Sequence, residues 1–132
     1  MPASGTHSES SFIPQPRTAT VARVFCALYM LLVVYCSLLP WSGWHMFVGN
    51  PLAFLTVINY DGNRKDLVIN VLVYAPFGLL LFLSSVKRNR PMLTVLLATL
   101  AGAALSVSME TLQQFVPKRD TSSIDVMTNT AG

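Results

Sequence analysis

Three stretches without a formal charge constrain this chain more than anything else in it: residues 24–60, 67–86 and 91–109, of 37, 20 and 19 residues. A hydrocarbon core about 30 Å thick takes roughly 20 helical residues to cross, so each stretch can hold one transmembrane helix. Composition agrees: 52% of the 132 residues are hydrophobic and 11% charged, where a water-soluble domain carries about 25% charged residues. The sequence therefore predicts an all-α fold, a polytopic transmembrane helical bundle. Its spans are expected at about 24–41, 67–86 and 92–115, with a further helix starting at 122–132 as a truncated fourth span.

The same arithmetic excludes other classes. The net charge is +3, but the basic residues sit in ones and twos at the ends of apolar windows, with no basic stripe and no glycine-rich turn, which argues against nucleic-acid and nucleotide binding. Cys26 and Cys36 lie ten residues apart on one expected helix, about 15 Å, too far for an intrachain disulfide, and read as apolar filler. With only His7 and His45 to add, no zinc or haem ligand set assembles from usual spacings. No cofactor and no metal is expected, although a metal held by carboxylates alone stays open.

Residues 1–20 are rich in Ser, Thr and Pro and hold no apolar run, which predicts a flexible polar tail ahead of one transmembrane domain over 21–132. The first span lacks an Ala-x-Ala exit, so it is read as a retained helix and not a cleaved signal. Pro40 closes it, and Trp41 and Trp44 follow at interfacial depth. Residues 45–60, interrupted by Gly49, Asn50 and Pro51, are too short for another crossing and predict an interfacial or re-entrant stretch. Asp61-Gly62-Asn63 is turn chemistry. Inside the second span Pro76 removes one ladder bond, with Gly78 two residues on, so a kink is expected. Placing Arg17, Arg23, Lys87, Arg88 and Arg90 inside leaves Arg64, Lys65, Lys118 and Arg119 outside. By the positive-inside rule this predicts a multi-pass protein of the cytoplasmic membrane with a cytoplasmic N-terminus.

Glu110 is the most informative single residue, because an ionisable group within an apolar span is expensive and marks a functional site by default. At 100° per residue Thr99, Gly102, Ser106, Glu110 and Gln113 share an arc of about 80°, a small and polar face suited to close helix approach. Asp66, Asn70 and Tyr74, spaced by four, start the second span from the side on which the third ends. Asn70 and Glu110 then lie at matching depth, and the second helix is expected to pack on the third through Asn70 and the Gly102–Glu110 face. Ser122 reads as an N-cap, with Asp125 at the capping-box position, opening a last helix that also carries Asn129. Asp66, Asn70, Glu110, Gln113, Arg119, Asp125 and Asn129 thus converge on one outer-leaflet pocket. Each has a plainer reading: interhelical hydrogen bonding for Asn70 and Gln113, a helix-dipole partner for Asp66, an ion pair for Arg119.

Taken in order, Asp66-x-x-x-Asn70, Pro76-Phe-Gly78, Ser108-Met-Glu110-x-x-Gln113, Arg119 with Asp125 six residues on, and Asn129-Thr-Ala-Gly132 resemble the signature of the VanZ-like family over residues 66–132. The resemblance implies a small polytopic protein of the bacterial cytoplasmic membrane, linked through the family's name to teicoplanin resistance, with a fourth span after the Asn-x-x-Gly element. Three functions are weighed. The pocket binds an envelope-related amphiphile, either a lipid-linked precursor or a lipoglycopeptide, with Arg119 beside an anionic headgroup. Alternatively Glu110 is the general base of a membrane-embedded enzyme acting on a lipid-linked phosphate, with Arg119 stabilising charge and Asp66 or Asp125 completing the set. The third reading is an assembly partner in an envelope complex. Binding is favoured, since no activated Ser, Cys or metal-ligand cluster is present.

Overall fold

A computed structural model describes residues 16–56, 64–85 and 90–132. Its helices are α1 (Pro16–Ser37), α2 (Arg64–Ser85), α3 (Pro91–Gln113) and a short α4 (Ser123–Ala131), with a 3-10 turn at Ala53–Thr56 between α1 and α2. No strand occurs among the described residues. The three long helices have the length and apolar content to cross a membrane; α2 and α3 lie within three residues of the expected bounds at each end, while α1 starts before residue 24 and ends at Ser37, short of 41. Of the tail expected over residues 1–20, residues 16–20 are the first turns of α1 and 1–15 lie outside the described residues. So do the Asp61-Gly62-Asn63 turn and Lys87 and Arg88 of the basic connection.

Lipid-like surroundings are written on the outside of the bundle. Phe25, Leu28, Leu31, Leu72, Leu79, Leu96 and Leu100 are all exposed, an apolar surface that only a bilayer would cover without cost. The interior mixes small and polar residues such as Ala98, Ser106 and Asn129 with larger apolar ones such as Phe77, Met109 and Val116, as expected where helices associate by close packing and interhelical hydrogen bonds. Ala22, Cys26 and Val33 are buried on one stripe of α1, with Tyr29 on the same face at helical spacing.

α1 runs antiparallel to α2, as two side-chain bonds show. Tyr29 Oη donates to the Val73 carbonyl at 2.9 Å, and Arg23 Nε donates to the Ser84 carbonyl at 3.3 Å. The second serves a chemical need, because the last four carbonyls of a helix have no intrahelical donor. α2 continues as helix through Pro76.

On α3 the buried stripe is Thr94, Ala98, Gly102, Ser106, Met109 and Glu110, mostly at intervals of four. Gly102, Ser106 and Glu110 therefore lie inward as their shared arc predicts, whereas Thr99, within the same arc but nearer the other end of the helix, is exposed. The expected neighbour is present but not alone, since α2 does pack on α3. α4 packs on both α2 and α3, and it is α4 that occupies the polar end of the seam. Asn70 bonds to α4, and a Cβ at Gly102 would meet nothing within 4 Å. The tight approach is elsewhere: a Cβ at Gly132 would run into the α2 backbone at Val71 and Ala75, with the Ala75 nitrogen 2.9 Å away. Glycine at the end of Asn129-Thr-Ala-Gly132 is what lets α4 lie against α2.

The stretch after α1 folds back over the turn between α3 and α4. His45 N donates to the Phe115 carbonyl at 3.0 Å, Gln114 Nε2 to the Pro51 carbonyl at 2.6 Å, and Phe47 meets Phe115 edge-on. Gly43, at φ +73°, sits where a Cβ would be 3.3 Å from Pro117. The described part of the non-crossing stretch expected over residues 45–60, residues 45–56, is thus tied by these bonds to the polar end of the bundle. Tyr35, Trp41 and Trp44 stack in series beside it.

Candidate functional site

Four helix ends meet at this pole: the C-termini of α1 and α3 and the N-termini of α2 and α4. Orphan carbonyls and orphan N–H groups are therefore gathered in one place, and most of the polar side chains there respond to them.

Glu110 lies one turn before the end of α3 and is 5% exposed. Its Oε2 accepts a hydrogen bond from Ser122 N at 3.1 Å. Ser122 is the N-cap of α4, and its hydroxyl accepts from Ile124 N. A capping box would satisfy the N-cap nitrogen with the side chain three residues on. Here that position is Asp125, yet Glu110 of a different helix provides the carboxylate. Asp125 is drawn aside by Asn70, whose Nδ2 donates to Asp125 Oδ1 at 2.7 Å and reaches Thr128 Oγ1 at 3.5 Å. Burial pushes the Asp125 carboxyl above its ordinary range; the hydrogen bond from Asn70 opposes the rise, and the nearby Asp66 charge adds to it.

Asn129 lies one turn along α4. Its Nδ2 donates to Ser106 Oγ at 2.9 Å. Asn129 is 6% exposed, and its Oδ1 is buried with no hydrogen-bond partner. An unsatisfied buried acceptor costs about 1–3 kcal/mol, so it calls for an explanation.

Gln113 and Arg119 have a shared occupation. Gln113 Nε2 donates to the Ser37 carbonyl at 2.9 Å, and Arg119 Nη2 lies 3.4 Å from the Leu39 carbonyl. Both supply donors to the carbonyl end of α1, where positive charge and N–H groups are favoured.

Around these groups lies a cleft of about 230 Å³ lined by Asn70, Tyr74, Glu110, Gln113, Arg119, Asp120, Asp125 and Asn129, with Cys36 and Ser37 from α1. Six of the seven residues singled out from the sequence therefore line one cavity. The seventh, Asp66, is exposed in the first turn of α2 and acts on the site through its charge on Asp125. Asp120 joins the lining without having been singled out. So does Tyr74, which spacing had placed on the stripe of Asp66 and Asn70. Gln114 was also missed: it is buried, one residue off the polar face, and its Oε1 has no partner.

A second, mainly apolar groove of about 250 Å³ runs between α2 and α3 past the end of α4, lined by Phe77, Phe82, Val95, Ala98, Thr99 and Gly102 among others. Tyr74 and Asn129 line both spaces, so polar cleft and apolar groove share a wall.

No curated protein and no solved structure matches the chain. The family model described as VanZ/LLP1 matches residues 24–132, which takes in every helix after the first turns of α1 and all of the cleft. The helical membrane fold and this match together establish that the chain belongs to the VanZ/LLP1 family.

Proposed function

We propose that the cleft and groove together bind an envelope-related amphiphile, a lipid-linked precursor or a lipoglycopeptide, at the outer leaflet of the bacterial cytoplasmic membrane, in a role connected with glycopeptide resistance. The observation that carries this reading is the shared wall. Tyr74 and Asn129 separate a charged cleft from an apolar groove, the pairing of environments that a molecule with a polar head and a hydrocarbon tail requires. The outer-leaflet assignment rests on the positive-inside count, which puts Arg17, Arg23 and Arg90 at the opposite, cytoplasmic end.

Binding fits the geometry better than catalysis. A general base must reach the proton that it removes, and one oxygen of Glu110 is committed to the α4 N-cap. Gln113 and Arg119 are likewise engaged with α1 carbonyls. The functional test discharges the cleft by Glu110→Gln and fills the groove by Val95→Trp or Thr99→Trp, both exposed positions. Each variant is scored for membrane accumulation and for teicoplanin susceptibility in a sensitised bacterial host. Loss of the phenotype at normal accumulation is the expected result for all three. Wild-type phenotype in the groove variants sinks the amphiphile reading.

A further inference from the structure

We propose that the headgroup recognised in the cleft is cationic, an amine or ammonium group on an amphiphile, and not a phosphate. The inference rests on the reading of the cleft as an amphiphile site and names the class of ligand that it takes.

Charge is the first argument. The ionisable groups with formal charge that line the cleft are Glu110, Asp120 and Asp125 against the single cation Arg119. An anionic headgroup would enter against this excess of carboxylates, and like charges brought together in a desolvated site are repelled. Arg119, the one group suited to phosphate, is exposed and turned to the Leu39 carbonyl. Hydrogen-bond polarity is the second and independent argument. The buried Asn129 Oδ1 is an acceptor without a donor, on a residue more than nine-tenths buried that lines the cleft. A phosphate offers further acceptors and leaves that oxygen unsatisfied. An ammonium group carries three N–H donors and no acceptor, so it answers both the orphan carbonyl and the carboxylates.

The arrangement of the acids narrows the cation. Among the described residues no three His, Cys, Asp or Glu side chains come close enough together to hold a metal ion. The carboxylates come from α3, the α3–α4 turn and α4, distributed around a space of about 230 Å³. That distribution suits an organic cation, whose charge is carried on a bulky group. Tyr74 adds an aromatic ring to the lining, a surface to which ammonium groups are attracted.

The experiment uses the full chain in phosphatidylcholine nanodiscs and three probes of one chain length: dodecylamine, dodecyl phosphate and dodecanol. Affinity is read from the concentration at which each displaces a photoactivatable dodecyl probe from the protein. Dodecylamine is expected to compete at about a tenfold lower concentration than dodecyl phosphate or better, the gain from one charge-assisted hydrogen bond. Asp125→Asn and Asn129→Leu should each erase that preference, and Arg119→Ala should widen it by removing the cleft's cation. Melting curves of each variant, taken alongside, show that the fold persists.

Preference for dodecyl phosphate overturns the cationic headgroup while leaving the amphiphile reading standing. Failure of all three probes to compete overturns both. An amine preference that survives Asp125→Asn and Asn129→Leu alike belongs to the surface and not to the cleft, and also overturns the proposal.

Discussion

Glu110 caps a helix to which it does not belong: its Oε2 accepts from the backbone nitrogen of Ser122, twelve residues on, at 3.1 Å. The bond fixes the start of α4 against the end of α3, and through Asn129 and Ser106 the register between the two helices is pinned a second time. A carboxylate that would be costly as packing is thereby given a structural task, while it still lines the cleft.

Glutamine at position 110 retains a carbonyl oxygen for Ser122 N, whereas alanine leaves that buried donor empty. Glu110→Gln should therefore melt close to the wild type in detergent, and Glu110→Ala should lose about 1–3 kcal/mol. Equal melting of Gln and Ala variants would show that the capping bond contributes nothing to holding α4.

The three spans and the pole at which polar residues gather were legible because each follows from a one-dimensional rule. Charge-free length marks a crossing, and spacing by three or four marks a face. Depth matching put Asn70 and Glu110 at one level, and both line the cleft, although Asn70 bonds to α4; Ser122 announced the start of that helix. The wiring was not legible. Nothing local says that Asp125 yields the capping-box role to Glu110, or that Gln113 and Arg119 serve carbonyls 76 and 80 residues earlier in the chain. Such pairings answer the needs of helix ends, which exist only after the helices are placed. The small face on α3 gave the demand for a close neighbour but not its identity, so the glycine expected at the seam, Gly102, proves to line a groove, while Gly132 makes the tight contact.

Glycine substitutions separate these two roles. Gly132→Ala places a methyl group against the α2 backbone at Val71 and Ala75, and backbone cannot move aside as a side chain can. A loss of about 1–3 kcal/mol is expected from this overpacking. Gly102→Ala meets open space and should stay within about 1 kcal/mol of the wild type, the helix preference for alanine over glycine working in its favour. Thermal melting of the two variants in one detergent decides the matter, and a larger loss at Gly102 would show that this glycine, not Gly132, holds the close helix approach.

Lys118, in the turn between α3 and α4, is exposed. Its backbone adds a second property: φ is +59°, the left-handed region that costs a residue with a Cβ roughly 1–2 kcal/mol. Lys118→Gly should relieve that strain and raise stability, while Lys118→Ile, β-branched, should lower it. An unchanged melting temperature across both variants would mean that the turn between α3 and α4 adapts freely.

Topology can be measured at the basic connection. Asn89→Cys, in a chain with Cys26 and Cys36 replaced by serine, should resist an impermeant thiol reagent in intact cells and react after permeabilisation, because the positive-inside rule predicts that the connection carrying Lys87, Arg88 and Arg90 faces the cytoplasm. Ready labelling of intact cells would turn the molecule over and put the cleft at the inner leaflet.

Asp125 ties stability to pH. Its carboxyl is raised above the ordinary value of 3.8 chiefly by burial. The facing groups are Asn70, which donates to it, and Asp66, whose charge opposes its ionisation; Glu110, Asp120 and Arg119 share its cleft. A folded-state value above the unfolded one means that the neutral form is favoured in the fold. The stability it contributes is fully present below 3.8 and is lost as pH rises through the folded value. At neutral pH the wild type therefore carries the penalty of an ionised, half-buried acid, and Asp125→Asn does not, while its side-chain carbonyl still accepts from Asn70. The variant should melt at an equal or higher temperature than the wild type at pH 7, and the difference should close as pH falls below 3.8. The same substitution is expected to abolish preference for an amine headgroup, so stability and binding should move in opposite directions, as they do where a charge is retained for a ligand and not for the fold. Melting temperatures across this pH range check the sign, and a variant less stable at pH 7 would show that the charge of Asp125 holds α4 in place.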